Sequence, residues 1–227
     1  MAALIHFALD PFSRRMRLAL AEYGAATELI EEQPWAPTSD IYSLNPAGTL
    51  PVYLQDSQTT ISGMEAIGEY LNETLGQRRT LIPGDAKGRA EVRRLMGWFD
   101  SKFYAEVSEP ILSEKAYRRF LKPEQGGGGP DMGRVRLAAA ALRQHLAYVG
   151  QLADRHAWLA GGALSLADLA AAAHLSVAEY FGDIPWADYP VAKSWYQRIK
   201  SRPSFRPLLA DTLRGLPPAA GYADLDF

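Results

Sequence analysis

The sequence contains no cysteine, and no apolar run approaches the roughly 20 residues that span a bilayer. Without cysteine the chain has no disulfide bond, no thiolate metal site and no thiol chemistry of its own. Neither sign of charge is in large excess, since the formal net charge is −2, and binding to nucleic acid is therefore not indicated. No cleavable apolar leader is predicted, and we expect a cytoplasmic protein.

Histidine is also scarce, with four residues in 227. His145, His156 and His174 lack the paired spacing with carboxylates that is typical of a metal site, so no metal is predicted. Four consecutive glycines at residues 126–129 are not followed by Lys and Ser or Thr. They indicate a surface loop and not a phosphate-binding loop. We predict no cofactor.

The hydrophobic pattern changes character near Pro83 and Gly84. Before that point, strand-like and helix-like segments alternate, whereas after it the pattern is helical throughout. The predicted strands are residues 4–9, 27–31, 52–54 and 59–61. The predicted helices are residues 14–23, 66–75, 87–121 with a break or kink near Pro110, 134–154, 165–180, 188–201 and a short segment from Pro203. This change predicts an α/β domain at residues 1–80, an all-helical domain at 87–210 and an irregular tail at 211–227.

Asp10 lies where the first predicted strand gives way to the first helix. The surrounding stretch, residues 4–24, resembles the N-terminus of the cytosolic glutathione transferase superfamily. In that superfamily a Ser or Cys commonly holds this position and stabilises a thiolate or attacks a disulfide. A carboxylate about 4 Å from a thiolate would destabilise it by up to about 4 kcal/mol at an effective dielectric near 20. Asp10 is therefore predicted to be a helix N-cap and not a catalytic residue.

The resemblance implies a GST-like two-domain fold, in which a thioredoxin-like N-terminal domain precedes an all-α C-terminal domain. It also implies that Leu50 and Pro51 form the cis-proline turn that presents backbone to glutathione. At the two positions where the superfamily usually carries Glu-Ser to hold a glutathione carboxylate, this chain has Gly63 and Met64. The sequence therefore predicts a degraded glutathione site. If the chain is nevertheless an enzyme, Ser13 is the candidate catalytic hydroxyl.

Two further stretches carry the resemblance in the helical half. Ser165 and Asp168 fit a capping box at the start of a helix, which matches the superfamily's folding motif. The segment 189–205 ends in Arg-Pro-Ser-Phe and resembles the last helix of the superfamily and its stop signal. A basic cluster of Arg14, Arg15 and Arg17 on the first helix predicts a solvated or interdomain face.

Two segments outside the shared pattern are candidate partner-binding sites. Trp35 stands between two prolines in a loop, and Trp is a favoured interface anchor, although it could instead fold into the vacant cleft. The tail alternates apolar and acidic residues, a pattern that suits docking on a surface or packing on its own domain. The candidate tail residues are Tyr222, Asp224, Leu225, Asp226 and Phe227.

With its degraded site and this tail, the chain resembles the GST-like cell-division proteins of alphaproteobacteria that bind the tubulin-like polymer FtsZ. That resemblance implies a non-enzymatic homodimer that binds FtsZ filaments at the division site, with no nucleic-acid partner and no membrane insertion. Two alternatives remain open. One is a glutathione-dependent transferase that uses Ser13, and the other is a carrier that holds a small molecule in the cleft.

Overall fold

A four-stranded mixed sheet forms the N-terminal part of the protein. The computed structural model describes residues 2–225, apart from the side chain of Ser39. The strands lie in the order β2-β1-β3-β4, where β1 pairs parallel with β2 and antiparallel with β3, and β3 pairs antiparallel with β4. Their bounds are β1 Ala3–His6, β2 Glu28–Glu31, β3 Val52–Leu54 and β4 Thr60–Ser62. The predicted thioredoxin-like domain is confirmed.

Three helices cover the two faces of this sheet: α1 (Pro11–Glu22), α2 (Ser39–Leu44) and α3 (Met64–Leu75). Successive side chains of β1 point to opposite faces. Leu4 therefore packs with residues of α1 and α3, whereas Ile5 packs against Ile41 of α2. The sequence analysis did not predict α2, because six residues are too short to show a helical period.

Helices build the rest of the described chain. They are α4 (Ala86–Gly97), a π-helical stretch (Trp98–Ser108), α5 (Glu109–Lys115), α6 (Met132–Arg155), α7 (Leu166–Tyr180), α8 (Pro190–Lys200) and α9 (Arg206–Leu209), with short 3-10 turns at Tyr117–Arg119, Pro123–Gln125 and Trp186–Asp188. The predicted all-helical domain is confirmed, although its exact limits stay a prediction. In the part of the chain from 2 to 225, no helix has the length and apolarity needed to cross a membrane.

Near Pro110 the sequence predicts a break or a kink, and of these the break is not found. The chain stays helical from Ala86 to Lys115, and Pro110 occupies the first turn of α5. A proline inside a helix cannot donate to the carbonyl four residues earlier, and its ring crowds that carbonyl. Here the π-helical stretch, with its wider turns, comes directly before Pro110, so the helical path widens and does not break. Wide π turns often occur at functional sites.

The two domains meet where α1 packs on α7, and every one of the 15 residues of α7 is buried. The predicted capping box begins this helix. Ser165 and Asp168 bond reciprocally, and the Asp168 carboxylate also accepts the Leu159 N–H at 2.8 Å and the Trp195 indole N–H at 3.0 Å. One local motif therefore fixes the start of α7 and connects it to α8.

The three arginines of α1 lie at this interface and are buried, so the interdomain alternative holds. Arg14 donates to the Ala8 carbonyl oxygen and the Ser176 hydroxyl, both at 2.8 Å. It also pairs with Asp211 at 2.9 Å, and Arg17 bonds the same carboxylate through two nitrogens at 2.8 and 2.9 Å. Because the guanidinium groups of Arg14 and Arg17 both pair with Asp211, they stabilise the docking of the segment after α9.

Candidate functional site

A cleft between the two domains forms the candidate functional site, and it has two adjoining compartments. The outer compartment has a volume of about 600 Å³ and the inner one about 180 Å³. Phe12, Thr49 and Leu50 line both. The outer compartment is completed by Gly63, Met64, Glu65, Ala66, Gly97, Asp100 and Ser101, and the inner one by Asp10, Glu32, Pro34, Pro37, Gly48, Tyr104 and Tyr117.

Asp10 is the N-cap of α1, as predicted, and it lines the inner compartment. Its Oδ2 accepts the Ser13 N–H at 2.7 Å, and its side chain is almost wholly buried. Burial raises the pKa of Asp10 to about 6, although hydrogen bonds from Ser13 and Phe12 act in the opposite direction. A carboxylate that is deprotonated at neutral pH cannot stabilise a thiolate beside it.

Ser13 does not reach the cleft. Its side chain is 0% exposed, and its Oγ accepts the backbone N–H of Phe7 at 3.3 Å. The residue faces into the start of α1, because it is the third residue of the helix and the helix turns it away from the cavity. The alternative in which Ser13 supplies a catalytic hydroxyl is therefore not supported by this geometry.

The predicted cis turn is confirmed, since the Leu50-Pro51 peptide bond is cis. Leu50 lines both compartments, and its contact with a glutathione backbone stays a prediction. Gly63 precedes α3 with a φ of +88°, a conformation that favours glycine, and no side chain caps this helix. Met64 begins α3 and offers only its backbone N–H to a ligand. The structure thus places Leu50, Gly63 and Met64 around one cavity, and neither Gly63 nor Met64 has a side-chain donor for a carboxylate.

The charged residues that line the cleft are all acidic. Glu65 and Asp100 line the outer compartment, and Asp10 and Glu32 line the inner one. Burial raises the pKa of Asp100, but the ion pair with the buried Arg15 and the nearby His174 together outweigh burial and lower that pKa below its ordinary value. Because Arg15 is 0% exposed, its charge is not available to a ligand in the cleft.

The sequence pattern did not indicate that several of the lining residues belong to the cleft. Glu32 follows β2, Tyr104 belongs to the π-helical stretch and Tyr117 follows α5, so they come from three distant segments. No local motif joins them, and each looks like an ordinary loop or helix residue in the sequence. The one available signal was the density of aromatic residues at 98–120. In a helical pattern such residues are ordinarily interpreted as core, so they did not indicate a site.

Trp35 lies at the outer edge of the domain interface and is half-buried. Its ring stacks on Phe120 with centroids 4.4 Å apart, meets Phe7 edge-on at 5.2 Å and approaches Tyr117 at 5.7 Å. Trp35 does not line the two compartments of the cleft, so it does not fill the ligand cavity. It lines a separate groove of about 400 Å³ together with Glu31, Gln33, Phe120, Thr212, Leu213 and Arg214.

At Tyr222 the tail packs on its own domain, which is one of the two alternatives that the sequence left open. Its side chain is 2% exposed, and its hydroxyl accepts from Arg14 at 2.8 Å and donates to the Leu208 carbonyl at 3.0 Å. Its aromatic ring packs edge-on against Tyr180 at the end of α7, with centroids 5.3 Å apart, and belongs to one buried cluster with Phe7 and Val177. Asp224 is exposed and Leu225 is partly exposed. The other two candidate tail residues, Asp226 and Phe227, lie outside the described part of the chain.

Comparison with known proteins agrees with this architecture. Residues 11–74 match the family model of the glutathione S-transferase N-terminal domain, and residues 112–203 match that of the C-terminal domain. The chain belongs to the glutathione S-transferase family. Within that family, it is 46% identical to FtsZ-localized protein A of Caulobacter vibrioides over 227 residues, which cover 99% of this chain and 97% of that protein.

Solved structures of this family superpose on the whole chain. The glutathione S-transferase from Sinorhizobium meliloti 1021 has a TM-score of 0.96 and 51% identity, with complete coverage of both chains. The structure of FzlA from C. crescentus has a TM-score of 0.94 and 46% identity, and covers 100% of this chain and 99% of that one. A glutathione transferase and an FtsZ-localized protein therefore share this fold, and both have similar sequence identity to the chain.

Proposed function

We propose that this protein is a non-enzymatic, homodimeric scaffold that binds FtsZ filaments at the division site of a bacterial cell. The observation that carries the proposal is the 46% identity to FtsZ-localized protein A along the entire chain, including the tail that follows the family models. Two copies of one binding surface in a dimer would attach to a filament with greater avidity than one copy.

The chemistry of the cleft supports a role without catalysis. Asp10 stands at the position where the family commonly carries a hydroxyl or thiol, and Ser13 is buried behind it. Gly63 and Met64 provide no side-chain donor for a glutathione carboxylate. The charged residues around the cleft are acidic, so an anionic ligand would meet repulsion in both compartments. These features favour the filament-binding proposal over a transferase.

The groove beside Trp35 is the surface we propose for FtsZ. Trp35 and Phe120 form its stacked aromatic wall, and Thr212, Leu213 and Arg214 form the opposite side. The groove therefore joins the loop after β2 to the segment that leads into the tail. Asp224, Leu225, Asp226 and Phe227 remain the proposed tail contacts. A rigid aromatic at the rim of a groove is typical of an interface hot spot.

Co-sedimentation with polymerised FtsZ, run beside a calorimetric titration with glutathione, tests the proposal. We expect the full chain to pellet with FtsZ polymer formed in GTP and to stay in the supernatant without polymer. We also expect no heat of glutathione binding at micromolar protein. Turnover of a standard aromatic glutathione-transferase substrate, or the absence of this chain from the FtsZ pellet, would contradict the proposed function.

A further inference from the structure

We propose that the inner compartment of the cleft binds an organic ammonium group. Two carboxylates, Asp10 and Glu32, and the aromatic rings of Phe12, Tyr104 and Tyr117 line this cavity of about 180 Å³. An ammonium group is attracted by carboxylates and by the faces of aromatic rings, and cages of this composition hold quaternary ammonium ligands. The groove beside Trp35 that we propose for FtsZ shares no lining residue with this cavity, so the inference goes beyond the proposed function.

In the described part of the chain, hydrogen bonds and not ion pairs hold the two carboxylates. Asp10 is 7% exposed and Glu32 is 8% exposed. Within residues 2–225, neither of them forms an ion pair. Glu32 accepts the Thr38 N–H at 2.7 Å and the Thr38 hydroxyl at 3.0 Å, which orients its side chain without cancelling its charge. Buried carboxylates are usually paired, so the missing cation is expected from a ligand.

The outer compartment differs in the pairing of its buried carboxylate. There Asp100 is paired with Arg15 inside the protein. The guanidinium of Arg14 lies near Asp10, but it pairs with Asp211 at 2.9 Å and bonds the Ala8 carbonyl oxygen at 2.8 Å. The inner compartment therefore combines enclosure with uncompensated negative charge, whereas the negative charge of Asp100 is already compensated.

Aromatic rings from both domains complete the cage. Phe12 of α1 and Tyr104 of the π-helical stretch lie 4.7 Å apart between centroids at an interplanar angle of 48°. Tyr117 is held on the far side by Phe7 at 6.0 Å and by Trp35 at 5.7 Å. Burial, and then the charge of Asp10, raise the pKa of Tyr104 to about 12, so its ring stays neutral at physiological pH. Neutral rings at different angles can surround one cation.

Calorimetric titration of the full chain at pH 8 with choline and with 3,3-dimethylbutan-1-ol tests the charge requirement. The two probes have nearly the same shape, but only choline carries a positive nitrogen. We expect choline to bind roughly tenfold or more tightly than the neutral alcohol, because cation–π and carboxylate attraction act on the charge. Equal affinity for the two probes, or no binding of any ammonium probe, would overturn the proposal.

The ammonium could come from a free small molecule or from a lysine side chain of a protein segment. A second arm therefore titrates the capped peptide Gly-Gly-Lys-Gly-Gly against its glutamine counterpart. Choline binding without peptide binding would identify a small-molecule ligand, and selective binding of the lysine peptide would identify a protein segment. Both outcomes support an ammonium site, and failure of both choline and the lysine peptide rejects it.

Matched variants localise the site. Asp10→Asn keeps a good helix cap but removes the charge, and we expect it to weaken ammonium binding by roughly tenfold or more. Asp85→Asn makes the same change at the N-cap of α4, where Asp85 accepts the Gly88 N–H at 2.9 Å outside the cavity, and should leave affinity unchanged. Unchanged affinity in Asp10→Asn would count against the cage.

A second pair of variants tests the aromatic wall independently of Asp10. Tyr104→Leu removes a ring face and should weaken ammonium binding, whereas Tyr104→Phe retains the ring and should preserve it. This pair also decides the question if Asp10→Asn does not fold. Equal affinity in the leucine and phenylalanine variants would show that the ring has no part in binding and would contradict the proposed cage.

Discussion

The guanidinium of Arg14 and the hydroxyl of Tyr222 form a buried hydrogen bond of 2.8 Å between residues that are 208 positions apart. The same hydroxyl donates to the Leu208 carbonyl, and the same guanidinium pairs with Asp211. The first helix of the sheet domain and the final described segment are therefore connected through one polar cluster. This connection makes the early part of the tail a component of the fold.

The buried hydroxyl of Tyr222 should contribute measurably to stability. We expect Tyr222→Phe to lower the free energy of unfolding by about 1–3 kcal/mol, because it leaves an Arg14 N–H and the Leu208 carbonyl without this partner. Urea denaturation followed by circular dichroism measures the change. Tyr70→Phe on α3 is a control, since the Tyr70 side chain is only half-buried. Equal stability of Tyr222→Phe and wild type would contradict the assigned role.

Asp10 should make stability depend on pH. Its folded pKa is raised to about 6 from 3.8, so protonated Asp10 stabilises the fold below about pH 4 and this contribution is lost as the pH rises through 6. Asn cannot ionise. The stability of Asp10→Asn relative to wild type should therefore increase between pH 4 and pH 7, by at most about 3 kcal/mol.

The comparison with Asp10→Asn is made at each pH because other groups titrate in the same range. Burial, and then Arg17, lower the pKa of His6 to about 4, which removes stability as the pH falls. His6 is present in both proteins, so its contribution cancels in the difference. If the difference in free energy of unfolding between Asp10→Asn and wild type stays constant from pH 4 to pH 7, the pKa of Asp10 is not raised in the folded protein.

Glutathione should bind weakly or not at all, and Asp10→Ser alone should not restore binding or turnover. The substitution removes one negative charge, but Gly63 and Met64 still provide no side-chain donor for the ligand carboxylate. Glu65 and Asp100 also remain around the outer compartment. Calorimetry with glutathione measures the outcome. A micromolar dissociation constant for wild type or for Asp10→Ser would contradict this prediction.

Trp35→Ala should weaken FtsZ binding by roughly tenfold or more while the protein stays folded. Loss of the stack on Phe120 should lower the free energy of unfolding by about 1–3 kcal/mol. Leu137→Ala is the control, because Leu137 is 73% exposed on α6 and does not line the groove. The measurement combines thermal melting with co-sedimentation on FtsZ polymer. Full binding by folded Trp35→Ala would remove the groove from the proposed surface.

A shortened chain tests the tail. Truncation after Ala223 keeps Tyr222 in its buried position and removes Asp224 to Phe227. We expect wild-type melting temperature and weaker FtsZ binding, because the removed residues are proposed partner contacts and Asp224 is exposed. Truncation after Gly221 is the structural comparison, and should melt at a lower temperature since Tyr222 is lost. Unchanged FtsZ binding after removal of Asp224 to Phe227 would limit the surface to the groove.

The protein should form a two-fold dimer through the region of α3 and the start of α4. Light scattering should give twice the chain mass of 25.0 kDa at micromolar concentration. Leu75 ends α3 and is 37% exposed, so Leu75→Glu should weaken the dimer, whereas Leu137→Glu on α6 should not. A monomer mass for wild type would contradict the predicted assembly.

The sequence by itself determined the features that depend on neighbouring residues. The change from alternating to helical patterns gave the two domains, and Asp10 and Ser165 were recognised as caps because a cap bonds an amide only three residues ahead. Each cap closes within one turn of chain, so the local sequence contains both partners. The cis turn at Pro51 and the absence of a Glu-Ser pair at Gly63 and Met64 were expectations that the family resemblance implied.

Only the tertiary structure decided which side chains meet across the two domains. The sequence could not show that Arg14 bonds Tyr222, that Trp35 stacks on Phe120, or that Asp10 shares a cavity with Tyr104. These partners are separated by about 85 to 208 residues, and their meeting depends on how α1 packs on α7. The burial of these side chains, the pairing of their charges and the shape of the cleft are therefore properties of the packed domains. Many side chains from distant parts of the sequence together exclude the water that would otherwise screen those charges.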